Sequence, residues 1–282
     1  MIEKLDGLYK VEDVLEGKAA WKYAEDILQL VSRTFALNIQ VLRGKLHRSI
    51  LLAYLYLRIA DTVEDDPDMK ASEKDRVLAL YADVFKSGEL ETAKIRNFVG
   101  ALPESWRGSE DPNKDLCVKS EVVVPLLKTL PESYRKPVCD VVIEMCGGMA
   151  KFALRQEAAL SSGWFTLEKV ADLDEYCYYV AGIVGKLLTK LFSADTCFIG
   201  KEREAELSKL DVSFGLALQV VMTTSSNVTF MGGMSISMLS TLSWSAAIVL
   251  SGSWPNLSTK SNNIILFGGS MNTFISPPRK SS

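Results

Sequence analysis

The chain has 282 residues, 48% of them hydrophobic and 24% charged, which fits one large globular domain or two small ones with a sizeable core. A formal net charge of -3 offers nothing to a nucleic-acid partner. The five cysteines (Cys117, Cys139, Cys146, Cys177 and Cys197) make no close pair and no metal spacing, and His47 is the sole histidine, so a reducing compartment is expected while a structural zinc site and a His-based triad are not. The N-terminal Met-Ile-Glu-Lys-Leu-Asp lacks the basic and apolar regions of a signal peptide. A cytoplasmic location is therefore expected, with peripheral membrane association left open.

Residues 1–30 read as helical, with Trp21, Ala24, Ile27, Leu28 and Val31 on one face. Ser32 is a suitable cap for a helix that follows it, in the segment Ser32-Arg33-Thr34-Phe35. Another helix is expected from about Leu46 into a run of acids, closed by Pro67 and Asp68. An amphipathic helix is expected over 72–96. Pro103, Trp106, Gly108 and Asp111-Pro112 mark 101–115 as a loop. Two helices broken near Pro131 are expected over 116–160, and a further one over 174–192. Gly147 and Gly148 sit inside the second of that pair, where each costs about 1 kcal/mol. They suit close approach of a ligand and plain helix packing about equally.

The stretch with most chemistry runs from Ala53 to Asp66. Tyr54, Arg58, Asp61 and Asp65 follow at intervals of four, three and four, forming one stripe along a helix. Glu64 joins the stripe, while Thr62 and Asp66 point elsewhere. One reading makes the acids a solvated helix end with Arg58 as a surface partner. The other makes them a Mg²⁺ site that binds diphosphate, since this ion takes oxygen ligands and shares its shell with phosphates and water. The acids follow a long uncharged run, where a cavity wall would lie, and this favours the second. Taken alone, Arg33 reads as a surface cation.

Further on lies Asp174-Glu-Tyr-Cys-Tyr-Tyr-Val-Ala-Gly-Ile-Val-Gly-Lys-Leu-Leu-Thr-Lys-Leu-Phe192. Tyr176, Val180, Gly182 and Ile183 share a face, with Gly185 and Leu188 at its border. The small residues at 181, 182 and 185 suit a tight helix crossing or a long isoprenoid chain.

The motif ending Asp-Thr-Val-Glu-Asp-Asp66 resembles the first aspartate-rich motif of the squalene/phytoene synthase family, in its squalene synthase form. Ser32-Arg33-Thr34-Phe35 and Tyr176-Cys-Tyr-Tyr-Val-Ala-Gly-Ile-Val-Gly185 are similar to two more segments of the same family. Phe214-Gly-Leu-Ala-Leu-Gln-Val-Val221 is similar to a fourth, so the resemblance covers roughly residues 20–221. It implies an all-α trans-isoprenoid synthase bundle around a central cavity. It further implies head-to-head condensation of two farnesyl diphosphates to presqualene diphosphate and then squalene, with Mg²⁺ and NADPH. Carried over by motif, Asp61, Glu64 and Asp65 would hold Mg²⁺; Arg33 and Arg58 would meet diphosphate. Tyr176 would be an acid/base group beside it, with Arg58 and Tyr54 also on the catalytic side. Val180, Ala181, Gly182, Gly185, Leu188 and Gln219 would line the substrate tunnel; Lys114 falls loosely where the family has a substrate-contacting lysine, but its place in the 101–115 loop favours a solvated lysine. NADPH rests on the resemblance alone, because no Rossmann-type signature is present. Phytoene or dehydrosqualene synthase, or a non-catalytic prenyl-diphosphate binder, are the alternatives.

In the family, the fourth segment leads into a second acidic motif. Here it leads into Met222-Thr-Thr-Ser-Ser-Asn-Val-Thr-Phe230, and no carboxylate follows Asp211. The leading expectation is a change of reading frame or gene just after Val221, leaving an incomplete domain over 1–221 and an aberrant Ser/Gly-rich tail over 222–282. Residues 231–252 are uncharged and about long enough to span a membrane, the second reading. A divergent helical end is the third. The oligomeric state is not legible, and weak or absent activity is expected of a chain with one acidic cluster.

Overall fold

The computed structural model describes residues 11–160, 170–195 and 201–216. Every regular element among them is helical, as the three-four periodicity predicts. The chain runs α1 (Val11–Val31), α2 (Arg33–Gln40), α3 (Gly44–Asp65), α4 (Ala71–Lys86), α5 (Thr92–Gly100), α6 (Pro112–Val118), α7 (Ser120–Val123), α8 (Glu132–Leu160), α9 (Val170–Cys177), α10 (Ile183–Ala194) and α11 (Lys201–Leu207). A further helical turn covers 211–216.

Helix α3 is the centre. It buries Leu46, Leu51, Leu52, Leu55, Tyr56 and Ile59 among others, and contacts α1, α4, α6, α8 and α10. A helix apolar nearly all round needs neighbours on every side. Its one large polar tip, the Tyr56 hydroxyl, lies between the carbonyls of Val123 and Val124 at 3.0 and 3.1 Å. Burying that ring without a partner for its hydroxyl would be costly. Helix α8 packs most extensively on α4, then on α3 and α10. Ser32 caps α2 as expected, its Oγ accepting from the Phe35 N–H at 3.1 Å.

Four expectations change. The first of the two helices expected over 116–160 is instead the end of α6, the single turn α7 and a 3₁₀ turn at Val124–Thr129. The amphipathic run over 72–96 is two helices, because Gly88 takes φ +72° and Leu90 φ 49° between them. A left-handed glycine after Ser87 terminates α4, and its N–H bonds back to the Phe85 carbonyl. The 101–115 loop contains a 3₁₀ turn at Glu104–Trp106 and ends in the start of α6. Asp111 caps that start by accepting from the Asn113 N–H, and Pro112 occupies the first helical position, where its missing N–H costs nothing. The 174–192 helix is interrupted by a π turn at Tyr178–Gly182 between α9 and α10. The helix expected over 1–10, the tail expected over 222–282 with its 231–252 stretch, and Gln219 lie outside the described residues.

The π turn shifts the register of everything after it. Gly182 and Gly185 consequently face the 211–216 turn. A Cβ on Gly185 would lie 1.8 Å from the Asp211 carbonyl oxygen and 2.7 Å from the Gly215 nitrogen. The reciprocal Cβ on Gly215 would lie 2.2 Å from the Ala181 oxygen. Two backbones meet here with no room for a methyl group. Gly185→Ala is therefore expected to cost about 3 kcal/mol, since the obstructing atoms are backbone and cannot rotate away. Thermal melting should show a Tm lower by roughly 5–10 °C. An unchanged Tm would show that the crossing is looser than described. Gly148 is also packed, with the Tyr179 ring over its Cα, whereas Gly147 is open.

Candidate active site

A cavity of about 470 Å³ lies between α2, α3, α10 and the 211–216 turn. Its walls are apolar: Phe35, Ile39 and Leu42 from one side, Ala53 and Leu57 from α3, and Val180, Ala181, Val184, Leu187, Leu188 and Leu191 from the other. Tyr54, Arg58 and Asp61 supply its polar end. The volume is in the range of small-ligand sites, and one charged end on an apolar chamber matches an amphiphile with one charged head.

The predicted stripe on α3 is a connected network. Arg58 donates from Nη1 to Asp61 Oδ2 at 2.6 Å and from Nη2 to the Tyr54 hydroxyl at 2.9 Å. The Tyr54 hydroxyl in turn faces the Val31 carbonyl at 3.5 Å, and its ring packs on Phe35 with centroids 5.4 Å apart. The guanidinium thus has its fork fixed on two sides. Burial opposes its charge, but Asp61, Tyr54 and Asp65 together hold its pKa above the ordinary value. Thr62 turns away and donates to the Arg58 carbonyl at 2.7 Å.

Three carboxyls crowd the end of α3. Burial first, and Asp65 second among the raising causes, push Asp61 up to about 6 even against Arg58. Burial, Asp65 and Asp61 push Glu64 up to about 8. Burial raises Asp65, which shares a hydrogen bond with Glu64. Lys74 donates to the Glu64 carbonyl and lowers its carboxyl only in part. Tyr176 sits beside this cluster, its ring edge-on to Phe152 at 5.2 Å. Burial and then Glu64, Asp65 and Asp61 raise its phenol well above the ordinary range, so it stays protonated and keeps a proton to donate.

The donor set fits Mg²⁺ in kind: three crowded oxygen acids that cannot all ionise without added positive charge. It is not a finished cage, because no three acidic, His or Cys side chains among the described residues converge on one ion position. Waters and ligand oxygens would complete the shell, as is usual for this ion.

This crowding has a pH signature. Glu64 and Asp61 have folded values above their unfolded ones, so the folded state holds more protons, and stability falls as pH rises from about 4.5 through 8 for Glu64 and from 3.8 through 6 for Asp61. The metal-free protein should melt roughly 5 °C lower at pH 8 than at pH 5, a figure discounted for the solvent that reaches these groups. Glu64→Gln, or Mg²⁺, should flatten the slope. A slope unaffected by both would place its origin elsewhere.

The predicted residues divide by position. Tyr54, Arg58, Asp61, Val180, Ala181 and Leu188 line the cavity. Glu64, Asp65 and Tyr176 stand behind its polar end. Gly182 and Gly185 do not line it; they make the helix crossing described above. Arg33 begins α2, and its side chain lies outside the described residues. Lys114 is on α6 and pairs with Asp66 at 3.4 Å while lying over the Trp106 ring. It is therefore a half-buried helix residue with a partner, not a free loop lysine. The α2 wall was missed by the sequence reading, although Phe35, Ile39 and Leu42 recur at the four- and three-residue spacing that marks a helix face.

The squalene/phytoene synthase family model matches residues 28–224. Squalene synthase of Schizosaccharomyces pombe is 31% identical over 195 residues, 69% of this chain and 39% of that protein. Squalene synthase of Eremothecium gossypii is 33% identical over 184 residues, 65% of this chain and 38% of that protein. A solved TcSQS–ligand complex superposes with a TM-score of 0.56 at 27% identity, over 72% of this chain and 52% of that one. The matched part thus spans well under half the length of these curated relatives. With the family model covering most of the chain and the helical fold shared, the protein belongs to the squalene/phytoene synthase family.

Proposed function

We propose that the cavity binds farnesyl diphosphate and is built for the squalene synthase reaction. In that reaction two such molecules join head-to-head to presqualene diphosphate, which is then reduced to squalene. The observation that carries this reading is the apolar chamber closed at one end by Arg58, Tyr54 and Asp61, with Glu64, Asp65 and Tyr176 behind them. Asp61, Glu64 and Asp65 would hold Mg²⁺, which neutralises a diphosphate and eases its departure as an anion. Arg58 presents a fixed guanidinium fork to diphosphate oxygens. Tyr54 sets the orientation of that fork. The protonated Tyr176 hydroxyl can donate to developing negative charge. Phe35, Leu57, Val180 and Leu188 keep water from the allylic cation left behind. NADPH as reductant comes from the family alone.

A second reading is favoured by the absence of any Asp or Glu after Asp211. One acidic cluster can seat one diphosphate, and the chain then acts as a weak enzyme or a binder. Incubating the purified chain with farnesyl diphosphate, Mg²⁺ and NADPH and analysing the extract separates these. Bound farnesyl diphosphate with little or no hydrocarbon is the expected result. Abundant squalene would refute the assignment of weak activity, and dehydrosqualene or phytoene would move the chain to the other branch of the family. No Mg²⁺-dependent binding at all would refute the site.

A further inference from the structure

Helix α2 and the residues that end it carry apolar side chains on two sides, with the polar Asn38 and Gln40 exposed between them. Phe35, Ile39 and Leu42 face the cavity, while Leu37 and Val41, one turn apart, are 66% and 72% exposed. Leu30, at the end of α1 just before the Ser32 cap, is another 66% exposed. Large apolar side chains this exposed, clustered at one end of a helix whose other outer positions Asn38 and Gln40 are polar, mark a surface that meets a partner. The charge around it indicates which. No acid occurs from Ile27 to Ala60, and Arg43, Lys45 and Arg48 are all exposed immediately after α2. The nearest acids of α1 are already answered, Glu25 by His47 and Asp26 by Lys22. This cationic segment stands on a chain whose net charge is -3.

We infer that the outer face of α2, with Leu30, Leu37 and Val41 inserted and Arg43, Lys45 and Arg48 on the headgroups, docks the protein on an anionic phospholipid surface. Exposed apolar side chains beside clustered cations are the pattern of a helix lying in a membrane interface. The inner face of the same helix walls the cavity, so docking would set the chamber against the layer in which a prenyl chain dissolves. That benefit rests on the proposed function. The docking itself does not, and its test uses no prenyl substrate.

The full chain is floated with vesicles of phosphatidylcholine alone and of phosphatidylcholine with phosphatidylserine. Binding should be confined to the anionic vesicles and fall with added salt. Arg43→Gln, Lys45→Gln and Arg48→Gln together should weaken it about 100-fold, at about fivefold per cation near such a surface. Leu37→Ser with Val41→Ser should weaken it at least about tenfold, and these exposed sites should leave the Tm and circular dichroism unchanged. No binding by the parent chain would overturn the inference. So would binding untouched by both variants, which would point to the uncharged 231–252 segment. A dimer in solution that the Leu37/Val41 variant dissolves would assign the face to a second copy instead.

Discussion

If the cavity takes farnesyl diphosphate as proposed, Asp61→Asn should lower its Mg²⁺-dependent affinity by about 100-fold, close to 2.7 kcal/mol, and raise the Tm of the metal-free protein by about 2 °C. The two effects have opposite signs because they come from the same charge. Asp61 is the one acid among the described cavity-lining residues, and its carboxyl is held up at about 6 although Arg58 lies 2.6 Å away. Burial and Asp65 therefore outweigh the attraction of the guanidinium, and at neutral pH the ionised group strains the folded state. Removing the charge relieves that strain. A bound cation needs the charge and loses a ligand without it. Arg58, released from its partner, should also bind diphosphate slightly better when no Mg²⁺ is present. Titration of the ligand with and without Mg²⁺, alongside thermal melting, reads all three. Equal loss of affinity in both conditions would mean that Asp61 acts through Arg58 and not through a metal. A fall in Tm would mean that the Arg58–Asp61 pair is a net support of the fold.

What the sequence could disclose divides along physical lines. The α3 stripe was legible because Tyr54, Arg58 and Asp61 interact within one helix, where spacing alone fixes who faces whom. The cap at Ser32 was legible for the same reason. For Gly182 and Gly185 the residues alone offered the tight crossing that the structure shows, and only the family resemblance moved them to the tunnel wall. The π turn at Tyr178–Gly182 adds a residue to one turn, and no local signal in Tyr-Tyr-Val-Ala-Gly announces it. Val184, Leu187 and Leu191 line the cavity at the same three- and four-residue spacing as Val180, a continuation of the face that the sequence reading stopped at Leu188. Lys114 was misplaced for a third reason: its partner is 48 positions upstream, and only the packing of α6 beside the end of α3 brings them together. The break in α4–α5 had a readable cue in Ser87-Gly88 that charge periodicity on either side obscured.

Asp66→Ala destabilises the protein by about 3–5 kcal/mol, lowering the Tm by roughly 10 °C, with no specific loss in Mg²⁺ dependence. In the sequence Asp66 looks like a fourth acid of the same motif. In the fold it is 5% exposed and saturated with donors. One oxygen accepts from the Asp68 and Met69 N–H groups at 2.9 and 3.1 Å, closing α3. The other accepts from Trp106 Nε1 at 3.2 Å and faces the Lys114 ammonium at 3.4 Å. Alanine leaves a buried indole N–H and a half-buried cation unpaired, and uncompensated groups of that kind are where large losses arise. Asp66→Asn keeps the oxygen that closes the helix but turns an amide donor toward Trp106 and Lys114, so it should recover only about half of the loss. Melting curves of the two variants give the ranking. Binding of farnesyl diphosphate with and without Mg²⁺, measured well below the lowered Tm, supplies the discrimination. A variant that melts like the parent yet loses its Mg²⁺ response would make Asp66 a metal ligand. The expected pattern instead sets two acids five residues apart in opposite roles: Asp61 would cost stability to serve the proposed site, and Asp66 holds together the corner beside it.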